Sequence, residues 1–261
     1  MLPIEDLGRE EAQRLDGLLF DLDDTLLDEG RLSLVAHQAL DALAEAGLIL
    51  MAVTGRPAGW GAVLARLWPV RGVVTENGAV TVYRDGRTVH LLDPVDPAER
   101  AARSARLEVL AADLEARFPE LRRAQEYSVR LSDLTLDIGE ARDVPPDVVE
   151  RAMGLARERG FHTVRSTVHL HLSLDGEDKA SGALRALETL CDEDPAMARE
   201  RYGFIGDSDN DAPCFAAFST TFAVSNFRAL ATVRPRYVTR AARGAGFAEA
   251  ARVVLERRQH L

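Results

Sequence analysis

GLLFDLDDT, residues 17–25, joins a short apolar run to an acidic cluster. Four successive apolar or small residues, Gly17 to Phe20, suit a parallel strand covered on both faces, and the polar side chains arrive where that strand ends. Asp21 and Asp23 are two apart, so both can project from one side toward the same ligand. The pattern repeats downstream. Ser33 caps a helical pattern through Ala36, Leu40 and Leu43, which Gly47 stops. The run Leu48 to Val53 ends in Thr54-Gly55-Arg56-Pro57, a helix extends to about Leu67, and Gly72 to Val74 ends in Thr75-Glu76-Asn77-Gly78. Strand, helix, strand, helix, strand predicts an α/β fold with a doubly wound parallel sheet, in which ligands bind beyond the carboxyl ends of strands.

The rhythm then changes. Val80 to Tyr83 and Thr88 to Leu92 alternate around Asp85-Gly86, a hairpin signal. A long helical stretch spans about 97–117, a strand pattern runs from Tyr127 to Ile138, and a helix covers Pro146 to Arg159. Strands at Phe161 to Arg165 and Val168 to Leu174 follow. From Asp178 the first pattern resumes, with a helix to about Leu190 and the strand Tyr202 to Ile205 ending in GDSDND. A helix to about Phe218, strands Thr221 to Val224 and Arg236 to Thr239, and a helix from Gly246 complete it. The organisation expected is a core of residues 1–84 and 177–261, interrupted by a smaller α/β module at 85–176.

Composition narrows the partners. Of 261 residues 46% are hydrophobic and 28% charged, values of an ordinary globular protein. The net charge of −10 disfavours nonspecific attraction to nucleic acid or an anionic membrane surface. No apolar run approaches the roughly 20 residues of a membrane helix. The first residues, MLPIEDLGREEAQRLDG, are acidic and polar, unlike a targeting segment, and two cysteines make no disulfide framework. A cytoplasmic setting is expected.

The polar strand ends carry the chemistry. Two adjacent carboxylates can divide labour, one attacking as a nucleophile while the other gives and takes a proton, although a solvated turn would look the same. Asp207 and Asp211, four apart at the opening of a helix, suit a hard cation such as Mg²⁺; an acidic helix cap is the alternative. Thr54 with the amides of Gly55 and Arg56 can bind phosphate oxygens at a strand-to-helix turn. Lys179 is the only lysine beside 31 arginines. An ammonium is compact and a guanidinium broad, so a tight site would resist the exchange, whereas a leftover surface lysine would not.

DLDDT (21–25), the Thr54 turn, Lys179 and GDSDND (206–211) resemble, in order, the four motifs of the haloacid dehalogenase superfamily, mostly Mg²⁺-dependent phosphatases. The inserted module, with ENGA at 76–79, is similar to the cap of subfamily IIB, which includes sugar phosphatases. The resemblance implies Asp21 as nucleophile, Asp23 as general acid/base, and Thr54, Gly55 and Lys179 around the phosphate. It also implies that Asp21, the main-chain carbonyl of Asp23, Asp207 and, directly or through water, Asp211 hold Mg²⁺. Asp24 stands where many of those relatives have glycine.

In such an architecture the cap selects the leaving group. Glu76 and Asn77 at the junction, and Arg130, Asp133, His169 and His171 in the module, are the candidates, with ordinary turn or structural roles open for each. The function expected is hydrolysis of a small phosphorylated metabolite, a sugar phosphate, through an aspartyl-phosphate intermediate. A phosphomutase, or a signalling phosphoacceptor without turnover, are the alternatives.

Overall fold

The computed structural model describes residues 1–166, 168–227 and 233–259. In chain order the principal elements are β1 (Gly17–Phe20), α1 (Leu34–Glu45), β2 (Ile49–Val53), α2 (Ala58–Leu67), β3 (Gly72–Thr75) and the hairpin β4 (Val80–Asp85) and β5 (Thr88–Leu92). Then come α3 (Pro97–Arg117), β6 (Asp133–Asp137), α4 (Pro146–Glu158), β7 (His162–Arg165) and β8 (His169–Ser173). The chain finishes with α5 (Lys179–Cys191), α6 (Pro195–Arg201), β9 (Tyr202–Gly206), α7 (Ala212–Ala217), β10 (Thr220–Ala223) and α8 (Arg243–Arg258).

The larger sheet runs β10-β9-β1-β2-β3-β4-β5, with the two-residue strands Tyr237–Val238 and Leu2–Pro3 beyond β10. Pairing is parallel from Leu2–Pro3 across to β3 and antiparallel in the β3-β4-β5 edge. Successive side chains of a strand face opposite layers, and β1 shows it. Leu18 and Phe20 pack with Leu40 and Leu43 of α1 and Phe247 of α8, while Leu19 packs with Leu184 and Leu187 of α5. From β1 the chain moves to β2 and β3 on one side, and it returns through β9 on the other. The crevice created where strand order reverses lies at the carboxyl ends of β1 and β9, and it is there that an open α/β sheet accepts a ligand.

The second sheet, β7-β8-β6 with Arg122–Arg123 at its edge, is antiparallel. Leu134, Leu136, Leu170 and Leu172 from one face pack on Leu110 and Leu114 of α3 and Val149 and Ala152 of α4. The alternate residues Asp133, Thr135, Asp137, His169 and His171 form a buried polar face.

Two departures from the sequence reading have local causes. Gly86, at φ 55°, folds β5 back on β4, so Thr88–Leu92 lies in the larger sheet although the inserted module was expected to begin at 85. The strand expected from Tyr127 is confined to Asp133–Asp137, because Gln125–Val129 forms a 3₁₀ turn. Glu76 then takes the amides of Leu131 and Ser132 that a longer ladder would need.

Candidate active site

Register brings the acidic strand ends together. The Asp21 amide donates to the Ile205 carbonyl at 3.0 Å, so the residues following β1 lie beside those following β9. Asp207 is held by the Thr25 hydroxyl (3.0 Å to Oδ1). Asp211, wholly buried, accepts the amides of Asp207 and Ser208 on Oδ2 at 2.9 and 3.1 Å, which closes the turn before α7.

Lys179 enters from the other side as the first residue of α5. Asp178 caps that helix by accepting the Ser181 amide, and Ser181 answers as acceptor of the Asp178 amide. The helix start rests on the Glu76–Gly78 turn, where Gly78 has φ 108° and a Cβ would lie 2.0 Å from the Asp178 carbonyl oxygen. Only glycine combines that dihedral with that approach. Lys179 Nζ lies 2.8 Å from Asp21 Oδ1 and 2.7 Å from Asp211 Oδ1.

Three buried carboxylates therefore crowd around one ammonium, which contacts two of them, Asp21 and Asp211. Burial raises Asp21 to about 7, with Lys179 opposing and Asp211 adding. Burial with Asp21 and Asp211 raises Asp207 to about 8. Burial works against the charge of Lys179, but Asp21 and Asp211 outweigh it and hold the amine firmly protonated. Oxygens of Asp21, Asp207 and Asp211 lie within 4.8 Å of one another. This surplus of hard oxygen donors over positive charge fits a small divalent cation. Both Asp211 oxygens already have protein partners, which leaves Asp21 and Asp207 the less committed donors.

Thr54 is fully buried after β2, and its hydroxyl accepts the Arg56 amide at 3.0 Å. The Asn77 amide donates to the Thr54 carbonyl, tying this turn to the next. Asp24 has φ 58°, the left-handed region that glycine occupies most readily and Asp tolerates, which accounts for the residue at that position.

Asp23 has a partner that the sequence reading did not assign. Arg56 donates Nε to Asp23 Oδ2 and Nη2 to Oδ1, both at 2.8 Å. Its Nη1 reaches both oxygens of Glu126 at 3.2 Å, and its guanidinium lies 4.5 Å from the centre of the Trp60 ring. The Trp60 indole N–H donates to Glu126 Oε1 at 2.8 Å. No sequence pattern ties the arginine of TGRP to residues 33 positions upstream and 70 downstream.

Five of the six junction and module candidates converge. Glu76 accepts the amides of Ala58, Leu131 and Ser132 and the Ser132 hydroxyl, so it straps the module to the core. Arg130 Nη1 bonds both Asp133 oxygens (2.8 and 3.0 Å) and the Gly55 carbonyl (3.1 Å). His171 Nδ1 lies 2.8 Å from Asp133 Oδ2. Burial would raise Asp133, but Arg130 and His171 hold it down at about 2, whereas burial lowers His171 despite Asp133. Asn77 lies against Gly55 with both amide atoms buried and unpartnered. His169 stands edge-on to His171, ring centres 6.0 Å apart, but outside this hydrogen-bond network, its Nε2 lying 2.9 Å from Glu140 instead. A cavity of about 30 Å³, bordered by Asn77, His162, His171, Ser173, Asp175 and Glu177, lies between module and core.

Residues 18–98 match the model of the haloacid dehalogenase-like hydrolase family. The phosphoglycolate phosphatase of Methanothermobacter thermautotrophicus is 32% identical over 234 residues, covering 89% of this chain and 95% of that one. That of Natronomonas pharaonis is 30% identical over 182 residues, 70% of this chain and 72% of its own. A crystal structure of a Thermoplasma acidophilum protein superposes with a TM-score of 0.75 at 19% identity, covering 92% of this chain and 98% of that one. With 95% of a 32% identical relative spanned and a switch-point crevice that gathers Asp21, Lys179, Asp207 and Asp211, the chain belongs to the haloacid dehalogenase-like hydrolases and is a phosphatase of that family.

Proposed function

We propose that this chain is a Mg²⁺-dependent phosphomonoesterase that passes the phosphoryl group through Asp21. The observation that carries the reading is the buried Asp21–Lys179–Asp211 array beside Asp207. Asp21 and Asp207 would hold the ion, with Asp211 orienting Asp207 and Lys179. Bound Mg²⁺ supplies charge neutralisation between the attacking carboxylate and the phosphoryl oxygens.

The chain's own groups account for the rest. Lys179 opposes the protonation of Asp21 that burial favours and aims its carboxylate, and the Thr54 turn with the Gly55 amide receives phosphoryl oxygens. An Asp21 oxygen bonds to phosphorus as the ester P–O bond breaks, and Asp23 gives its proton to the departing oxygen. Water then attacks phosphorus, its proton passes to Asp23, and the Asp21–phosphorus bond breaks to release phosphate. Each proton transfer of this kind contributes about 10²–10⁴ in rate.

The substrate we assign first is 2-phosphoglycolate, the compound named for both curated relatives. A sugar phosphate is the second reading, favoured by the lining beside Asn77. A neutral His171 that donates Nδ1–H to Asp133 keeps Nε2 as an acceptor, and the Arg130 charge is already met by Asp133. Such walls suit hydroxyl groups better than a second anion. We place the smaller module as the cap over this site. The two free cysteines, Cys191 and Cys214, suit the reducing cytoplasmic setting that goes with this reading; among the described residues no helix is long and apolar enough to cross a membrane.

Initial rates on a panel of 2-phosphoglycolate, hexose and pentose phosphates, with phosphate release as readout, test the proposal. Release that needs Mg²⁺ and stops in excess chelator is expected. Turnover unaffected by chelator in metal-free protein would overturn the metal role, and isomerisation of a sugar phosphate without phosphate release would indicate a mutase.

A further inference from the structure

We infer that Glu126 and Trp60 act through Arg56 as positioning residues for Asp23, so that the cap's location is read out at the proton-transfer group. The inference rests on the assignment of Asp23 as general acid/base. Arg56 is a planar fork with donors in fixed directions, and it spends Nε and Nη2 on the two oxygens of Asp23. A bidentate pair of this kind fixes the plane of the carboxyl group as well as its distance. The plane of Arg56 is in turn set from two sides. Trp60 lies under its face at 4.5 Å, and Glu126 accepts Nη1 through both oxygens.

Trp60 belongs to α2 of the core, whereas Glu126 belongs to the 3₁₀ turn of the cap. The indole N–H to Glu126 bond at 2.8 Å joins the two. A rigid chain of four groups, Trp60, Glu126, Arg56 and Asp23, thus runs from the cap to the carboxyl that must face the leaving oxygen. The Asp23 side chain is 43% exposed, so little else confines it; Arg56 is 17% exposed. Because Glu126 sits on the cap and Arg56 on the core, any movement of the cap away from the core withdraws Glu126 from Arg56. Closure restores the chain and with it the orientation of Asp23.

The test is steady-state kinetics with the best substrate of the panel, on Glu126→Ala, Glu126→Gln and Asp23→Asn and on the double variant Asp23→Asn/Glu126→Ala. A misplacement of about 1 Å costs roughly 10² in rate. Glu126→Ala should lower kcat by about 10- to 100-fold with KM changed less than about threefold, and Glu126→Gln, which keeps an acceptor for Trp60 and Arg56, should recover part of it. A contact that served only to hold the cap would raise KM and spare kcat. In the Asp23→Asn background Glu126→Ala should cost less than about twofold, because groups acting in series are not additive. Wild-type kcat in Glu126→Ala, or the same loss with and without Asp23, would overturn the inference while leaving the chemistry of the site intact. Wild-type turnover in Asp23→Asn would instead remove the acid/base assignment itself. Melting curves on each variant separate these effects from unfolding, with Glu126→Gln as the near-isosteric variant should Glu126→Ala fail to fold.

Discussion

Replacing Lys179 by arginine keeps the charge and should nevertheless slow the enzyme about a hundredfold. The lysine side chain is 1% exposed, and its ammonium sits 2.8 Å from Asp21 and 2.7 Å from Asp211, themselves 6% and 0% exposed. A guanidinium is wider than an ammonium and donates in fixed directions, so it cannot occupy that point without displacing a carboxylate. Displacement of Asp21 by about 1 Å would cost roughly 10² in kcat. Overpacking of the site adds about 1–3 kcal/mol of instability, and for a chain of this length each kcal/mol lowers Tm by about 2–4 °C. Lys179→Arg should therefore melt a few degrees low yet remain folded at 25 °C, with kcat down about a hundredfold. Steady-state phosphate release and a thermal melt measure both. A variant with near-normal kcat would refute the reasoning and leave the lone lysine as an accident of composition.

Three further outcomes follow from the same geometry. Burial raises Asp21 to about 7 and Asp207 to about 8, so the metal-free fold holds protons that the unfolded chain releases near pH 4; its stability from these groups falls as pH rises toward 8. Mg²⁺ should therefore raise Tm more at pH 8 than at pH 5.5, and an equal gain at both would contradict the coupling. Gly182→Ala would place a Cβ 2.4 Å from the Gly78 Cα and carbonyl oxygen, so the start of α5 must shift; a loss of about 1–3 kcal/mol by denaturant titration, with reduced kcat, is expected, and an unchanged protein would show that the contact relaxes freely. Arg130→Met leaves Asp133 buried with only His171 as partner, and should destabilise by about 3–5 kcal/mol, read from the same titration.

The legible part of this protein was the part in which local pattern and fold coincide. Apolar runs ending in polar clusters identify β1, β2, β3 and β9 and thereby place Asp21, Thr54, Glu76 and Asp207 at one end of the sheet, because a parallel strand buried on both faces leaves its polar residues to its carboxyl end. The isolation of Lys179 in an arginine-rich chain singles it out in the sequence. The short helices Arg9–Arg14 and Pro195–Arg201 carry too few turns to give a periodic signal. Side-chain parity placed His169 and His171 on one face, and they are, but parity does not give distance along a strand: His171 meets Asp133 while His169 meets Glu140. The Arg56 network was illegible for a different reason. It joins residues from β1, the β2 turn, α2 and the cap, and no sequence pattern encodes a meeting that the two sheets create only after they pack.

The most direct test is to trap the enzyme during turnover with radiolabelled substrate, quench in acid, digest and map the label. Phosphate on the peptide containing Asp21, labile to hydroxylamine and absent from Asp21→Asn, is the result expected of an aspartyl-phosphate intermediate. Undiminished turnover by Asp21→Asn, or label on any other residue, would contradict it.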